Sequence, residues 1–376
     1  MIKMCLADIC SLNMGQSPNS SSYNTTGEGI PFYQGNADFG KVSPKTTTWC
    51  TEPKKIAEPG DILLSVRAPI GAINIANEKC CIGRGLVAIS PASENIRASY
   101  IKQALLASRK SLEFLGSGST FKAIGKKSLG EFLIPVYSLP MQIEIENRFS
   151  QVSICIELLR DVLKKLDELV KSRFVEMFGY IGEGTFIYPP KRIEDLCLEI
   201  IGGGTPSMKH PEYYGGSIPF IKSGDVKSQV VTNGNLSITK EGLKRSSAKL
   251  APMHSILVVT RSGILKHTLP IAIAGCSVAI NQDLKALVLN ESVIPEYIQW
   301  SLLVSEQLIL SKVRATTADN IETSLLKNFM VPVPPLQLQH EFADFAAQVD
   351  KLKFDFDFLV SFSIPSICLF CLKLDP

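Results

Sequence analysis

Apolar residues in the middle of the chain fall at Ile145, Phe149, Val152, Ile156, Leu159, Leu163, Leu166 and Val170, with spacings that alternate between four and three. Side chains so spaced share one stripe of an α-helix, and an average of 3.5 residues is the period of a heptad seam. Charged residues such as Glu157, Arg160, Lys164, Asp167 and Lys171 lie off the stripe. The pattern predicts one helix over 139–178, about 60 Å long at 1.5 Å per residue. Alone it would expose the stripe to water, so it needs a partner. Near the C-terminus Leu338, Phe342, Phe345, Val349, Leu352, Phe356 and Leu359 repeat the alternation. Each long helix follows one large segment of chain, so the two pack antiparallel if they pack along each other.

Outside the heptads the pattern is that of mixed strands and helices, and it occurs twice. Ile30-Pro31-Phe32 returns as Ile218-Pro219-Phe220, and Ile62 to Arg67 returns as Ile256 to Arg261. Phe132 to Val136 returns as Phe329 to Val333, and each copy then runs into a Leu-rich stretch with a glutamine, Gln142 or Gln339. The offsets are 188, 194 and 197. So long a period is a duplicated domain rather than a solenoid repeat of about 20–50 residues.

Each copy opens with a short amphipathic piece and a turn: Leu6 to Cys10 then Gly15-Gln16-Ser17-Pro18, and Ile193 to Cys197 then Gly202-Gly203-Gly204-Thr205-Pro206. Strands are expected at Ile62–Val66, Leu86–Ile89 and Leu284–Leu289, and helices at Tyr100–Leu115 and Glu296–Lys312. The fold class that follows is α+β. Two similar domains, 1–138 and 181–335, alternate with helices at 139–180 and 336–376. The helices form an antiparallel coiled coil about an approximate two-fold axis.

Charge adds a partner class. Residues 1–138 carry 15 basic and 10 acidic residues, and 179–335 carry 15 and 13. Residues 139–178 carry 6 and 7, and 336–376 carry 3 and 6. Positive charge therefore gathers on the large segments, where a phosphate backbone is met, although chance variation on solvated faces gives the same signature. Two basic domains on a stiff rod suit two half-sites on double-stranded DNA, whose helical turn is about 34–36 Å. Because the domains differ in sequence, the half-sites differ and the site is asymmetric and bipartite.

No signal peptide precedes Asp8, and the apolar stretch Leu359–Leu372 is short and broken by Ser361, Ser363, Pro365 and Ser366. The expected location is the cytoplasm, with no membrane partner. The ten cysteines are scattered; Cys10 and Cys197 hold equivalent places as small core residues, and Cys368-x-x-Cys371 lacks the further ligands a zinc site wants.

Catalytic patterns are weak. Tyr188-Pro189-Pro190-Lys191 has the wrong order for a methyltransferase motif, and Gly125-Lys126-Lys127-Ser128 lacks the upstream glycine of a nucleotide loop. Asp38, Glu52 and Lys54 offer a metal-dependent nuclease set, but the second copy has no equivalent. His210, His254, His267 and His340 show no regular spacing. The glycine run at 202–204 reads either as a phosphate cradle or as a turn.

The candidate DNA contacts are loop residues at equivalent points of the two copies. Arg67 and Arg261 share a repeat position at a strand end, Arg84 and Gln282 precede a strand, and Gln34 and Lys222 follow the Ile-Pro-Phe strand. Lys122 and Arg314 flank the polar Ser119-Thr120 and Thr316-Thr317 loops. Arginine at such places takes a phosphate or a guanine edge, or a salt bridge within its own domain. Tyr33, Tyr213 and Tyr214 belong either to the same surface or to the core.

Gly15-Gln16-Ser17-Pro18, Gly29 to Gly35, Ser217 to Asp225 and Ser172 to Gly179, in this order around a heptad helix, resemble the specificity subunit of type I restriction-modification systems over residues 1 to about 352. The resemblance implies target-recognition domains joined by spacer helices, and a chain that does no chemistry and holds no cofactor or metal. It implies two modification (methyltransferase) subunits using S-adenosylmethionine for adenine methylation, and restriction subunits using ATP and Mg2+. One departure stands out. Lys353 to Phe358 alternates with period two, and Pro365 is expected to stop the second helix. The helix then falls short of the first, and the tail points to a frameshift or truncation. An autonomous metal-dependent nuclease and a truncated inactive remnant are the alternative readings.

Overall fold

The computed structural model describes residues 2–116, 122–312, 314–315 and 319–371. The chain divides into two compact units, Met1–Arg160 with Asp357–Pro376, and Asp161–Phe356. The sequence boundaries differ from these because the division runs through the long helices.

In the first unit, Ile62–Ser65 lies between Leu86–Pro91 and Ile73–Ile75, and Cys10–Met14 completes a four-stranded antiparallel sheet. All four residues of Ile62–Ser65 are buried, which is why this strand reads as an apolar run rather than an alternation. Ile62 and Leu64 pack with Tyr100, Ile101 and Leu105. Leu63 points the other way, among Tyr33, Ile82 and Leu86. A second sheet carries Ile30–Tyr33 beside Cys80–Ile82 in parallel, with Phe32 opposite Cys81 and Tyr33 opposite Ile82.

The second unit repeats this arrangement. Ile256–Val259 lies between Leu284–Leu289 and Ile271–Ala274, and Cys197–Gly202 pairs with Leu284–Leu289. Ile256 and Val258 face one core cluster, Leu257 and Val259 another. Tyr214–Ile221 runs parallel to Val278–Ile280, with Phe220 opposite Ala279. The buried tyrosines also correspond: Tyr100 Oη donates to the Pro135 carbonyl and Tyr297 Oη to that of Pro332.

Each expected crossover helix is two helices. The first is Ala98–Ala107 and Arg109–Leu115, the second Pro295–Val304 and Glu306–Leu310. In the second unit Ser305 Oγ donates to the Ser301 carbonyl at 2.8 Å and Ser301 Oγ to that of Tyr297 at 2.7 Å. Such back-bonding bends a helix.

Leu139–Phe178 is one helix of 40 residues. Its stripe is covered: Ile145, Phe149 and Val170 are buried, and Val152, Ile156, Leu159, Leu163 and Leu166 are half-buried. Ile145 and Phe149 join the core of the first unit, Val170 that of the second. Inside the second unit Phe174 meets Phe342 at 5.3 Å between ring centroids, and Asp167 meets Lys353 at 2.6 Å. Descending along one helix matches ascending along the other, so these stretches are antiparallel.

Two expectations about the second helix are corrected. It spans Leu336–Cys371 and does not stop at Pro365. Proline removes a single N–H from the ladder, and the surrounding i to i−4 bonds carry the helix past it. The stripe also drifts. Phe342, Ala346 and Val349 are buried and Phe356 is half-buried, but Leu352 is exposed and half-buried Lys353 takes the next inward place. Its alkyl stem lies inward while its ammonium reaches Asp167 and Asp350. The side chains of Cys368 and Cys371 lie outside the described residues. Among the described residues, no helix is long and apolar enough to cross a membrane.

Candidate nucleic-acid interface

In the first unit, four backbone hydrogen bonds draw separate segments to one edge of the fold. Gly83 N–H donates to Tyr33 O (2.8 Å), Gly85 N–H to Gln34 O (3.2 Å), Val66 N–H to Gly85 O (2.9 Å) and Ile124 N–H to Val66 O (2.9 Å). The edge therefore carries Gln34, Arg67, Arg84 and Lys122, all exposed. Gln34, Arg67 and Arg84 line a cavity of about 200 Å³ with Gly35, Asn36, Ser65, Ala68 and Gly85. Gly85 is required here, since a Cβ would lie 2.4 Å from the Gln34 carbonyl oxygen. Asp38 holds the loop by accepting the Gln34 and Gly35 amides at 2.7 and 3.2 Å. Among the described residues neither Arg67 nor Arg84 pairs with a carboxylate, so both guanidiniums are free for an anion.

The second unit builds the same edge with different side chains. Asn281 N–H donates to Ile221 O (3.1 Å), Thr260 N–H to Asp283 O (2.8 Å) and Ile321 N–H to Thr260 O (2.8 Å). These bonds assemble Lys222, Arg261 and Gln282. Asp225 accepts the Lys222 amide at 2.9 Å, as Asp38 does in the first unit. Arg261 differs from Arg67, because its Nε donates to Asp283 Oδ1 at 2.8 Å. Gln282 Oε1 accepts from Thr205 Oγ1 at 2.6 Å.

Lys122 and Arg314 are not at matching backbone positions. Ala123 bridges Arg67 in the first unit, and Asn320 bridges Arg261 in the second. Arg314 instead sits across a short hairpin from Asn320, which brings its backbone to the edge. Its side chain and the Ser119-Thr120 and Thr316-Thr317 loops lie outside the described residues.

Other candidates resolve into packing. Tyr33 is core, with Oη 2.7 Å from Thr46 Oγ1, and burial pushes its phenol pKa up. Tyr214 donates to the Pro206 carbonyl, and Tyr213 stacks on His210 at 4.8 Å. A Cβ on Gly203 would meet Ile280 O at 2.1 Å, and the Gly204 amide is spent on the same carbonyl. A Cβ on Gly15 would likewise meet Gly83 O at 2.1 Å, and Gln16 N–H bonds to Ile82 O. The run is thus a close backbone crossing with a counterpart at Gly15, and the Gly204 amide is already spent rather than open to a phosphate. Burial raises the Cys10 and Cys197 thiols to about 12, which makes them inert; Cys10 is core, while Cys197 is half-buried against the core of its unit. Among the described residues no group of three or more His, Cys, Asp or Glu is placed to hold a metal ion.

Sequence reading missed Asp283, the carboxylate that orients Arg261. Its signal lies in the internal repeat: Asp283 aligns with Gly85, so the copies differ by a charge beside an otherwise shared arginine.

Known proteins carry the same pattern. The model of the type I restriction modification DNA specificity domain matches residues 1–168 and again 188–357. A Methanocaldococcus jannaschii protein named as the specificity subunit of type I restriction enzyme MjaX is 42% identical over 159 residues, which are 42% of this chain and 37% of the relative. The EcoR124I/EcoR124II specificity subunit of Escherichia coli is 34% identical over 154 residues, 40% of this chain and 38% of the relative. The aligned segments thus span under two-fifths of these relatives. A solved chain, described as showing complex assembly and conformational transition of the type I R-M system, superposes with a TM-score of 0.69 at 18% identity, covering 100% of this chain and 98% of the other. At that identity the likeness speaks for the fold. With matches to both copies covering most of its length, this chain belongs to the type I restriction modification DNA specificity domain family and carries that domain twice.

Proposed function

We propose that the chain is the DNA-reading specificity subunit of a type I restriction-modification complex and reads an asymmetric, bipartite site. The supporting observation is the pair of matching edges. Each unit gathers arginine or lysine with glutamine, the side chains that reach phosphates and base edges. At matching positions the sets share Arg67 and Arg261 but differ at Gln34 against Lys222 and at Arg84 against Gln282, as two different half-sites require. Gln34, Arg67, Arg84 and Lys122 serve one half-site, and Lys222, Arg261, Gln282 and Arg314 the other.

In this reading the chain is not an enzyme. Two modification subunits bring S-adenosylmethionine and methylate adenine, and restriction subunits bring ATP and Mg2+. The complex works in the cytoplasm. The nuclease alternative has little to rest on, because Asp38 spends its carboxylate on the Gln34 and Gly35 amides. The test is co-expression with modification subunits, followed by copurification, footprinting and single-molecule methylation mapping. A bipartite methylated motif that depends on this chain is the expected result. A chain that captures no modification subunit, in a complex with no sequence-dependent footprint, would overturn the reading.

A further inference from the structure

We propose that Asp283 is a positioning residue that sets Arg261 to read a guanine edge in the major groove, while the unbraced Arg67 and Arg84 of the first unit grip phosphates. This rests on the DNA-reading function proposed above and assigns the two kinds of contact within it.

The brace is built from both sides. Asp283 Oδ1 accepts from Arg261 Nε at 2.8 Å, and its Oδ2 accepts from Asn281 Nδ2 at 2.8 Å. The Asp283 amide donates to Asn281 Oδ1 at 3.2 Å, and its carbonyl accepts the Thr260 and Arg261 amides. Carboxylate and backbone are therefore both tied down before any ligand arrives. The carboxylate is the more covered partner, 22% exposed against 48% for the arginine. With Nε committed, the two terminal nitrogens of Arg261 remain as a planar fork. A fork held in advance loses less freedom on binding.

Charge and hydrogen-bond pattern then choose the target. A phosphate approaching Arg261 also meets the negative Asp283, which offsets part of the attraction. Guanine is neutral at its major-groove edge and presents two acceptors, N7 and O6, which the fork fits. Adenine presents N7 beside the N6 amino donor, which opposes an arginine N–H. In the first unit Gly85 replaces the acid and Arg84 replaces Gln282. Two free guanidiniums at the wall of one cavity make a site for backbone charge, without a brace to fix a fork.

The experiment uses the full chain assembled with its modification subunits. Binding is measured to the mapped site and to versions with each base pair substituted, over a range of salt. Asp283→Ala and Arg261→Lys are expected to lose about tenfold or more of the discrimination at one G·C pair of the second unit's half-site, with the salt slope not reduced. Asp283→Asn keeps an acceptor for Arg261 but loses the charge and sets an amide donor against Asn281 Nδ2, and is expected to restore only part of that discrimination. Arg67→Ala and Arg84→Ala are expected to weaken binding to all sequences alike and to lower the salt slope by about one each. If Asp283→Ala changes nothing, or if Arg261→Lys weakens all sequences equally, the assignment is overturned while the DNA-reading function stands. A wild-type complex with no sequence preference overturns that function, and the assignment with it. Equal melting temperatures for Asp283→Ala and wild type separate a lost brace from a lost fold.

Discussion

Gln339 Oε1 accepts the Ile294 amide proton at 3.0 Å, linking the first turn of the second long helix to the residue that starts a crossover helix 45 positions earlier. Its Nε2 donates to the Ser292 and Pro334 carbonyls at 3.0 and 2.9 Å. Gln142 does the same in the first unit, accepting from the Arg97 amide and donating to Asn95 and Tyr137 carbonyls. Both glutamines have no exposed surface. Replacing either by leucine removes three buried hydrogen bonds, a loss of about 1–3 kcal/mol for each buried group left unsatisfied. Gln339→Leu is expected to lower the denaturation midpoint of the second unit, and Gln142→Leu that of the first. A midpoint unchanged in chemical denaturation would sink the point.

The backbone crossing at the glycines makes a sharper claim. Gly15→Ala and Gly203→Ala each drive a methyl to within 2.1 Å of a carbonyl oxygen, of Gly83 and Ile280 respectively. Relief requires the two segments to separate, at a cost of about 1–3 kcal/mol as in other overpacked sites. Melting temperature is the direct measurement. Because the Gln16 and Gly204 amides are spent on backbone carbonyls, the salt slope of DNA binding is expected to stay unchanged.

The long helix and the internal duplication were legible in the sequence because each rests on many residues at once. Eight apolar positions in strict alternation from Ile145 to Val170 leave no competing period, and both copies keep the buried strand run at Ile62 and Ile256. What stayed hidden depends on one residue meeting a distant one. By heptad counting Lys353 belongs outside and Leu352 inside. The order is reversed because Asp167, 186 positions away, supplies a counter-charge where the stripe drifts. Asp283 shows no local signature either, since an acid after a turn is ordinary until its arginine is seen beside it.

Lys353 gives a pH prediction. Burial pulls its pKa down, but the bonds to Asp167 and Asp350 outweigh that and leave it raised. The folded state thus binds this proton more tightly than the unfolded chain. The stabilisation is complete below the unfolded lysine value of about 10.4 and is lost as pH rises through the higher folded value. Lys353→Met is expected to change stability at neutral pH by no more than about 1 kcal/mol, as for a pair with one exposed partner. It is also expected to flatten the fall in melting temperature above pH 10.4. A wild type and a variant that lose stability in parallel there would contradict the assignment.

The two edges belong to different compact units, Gln34 and Arg84 in the first and Lys222, Arg261 and Gln282 in the second. Each set is held by its own unit's backbone bonds. Changes at sites without shared partners act independently. Gln34→Lys with Arg84→Gln gives the first edge the side chains found at the matching positions of the second. Arg67 and the glycine at position 85 remain, so the backbone that carries the edge is undisturbed. Methylation mapping of the altered complex is expected to show one half of the motif relaxed or changed and the other half intact. Simultaneous change in both halves would mean that the units do not read separately. Loss of all methylation, with the complex still assembled and still bound to DNA, would mean that these side chains act on the partner subunits rather than on a half-site.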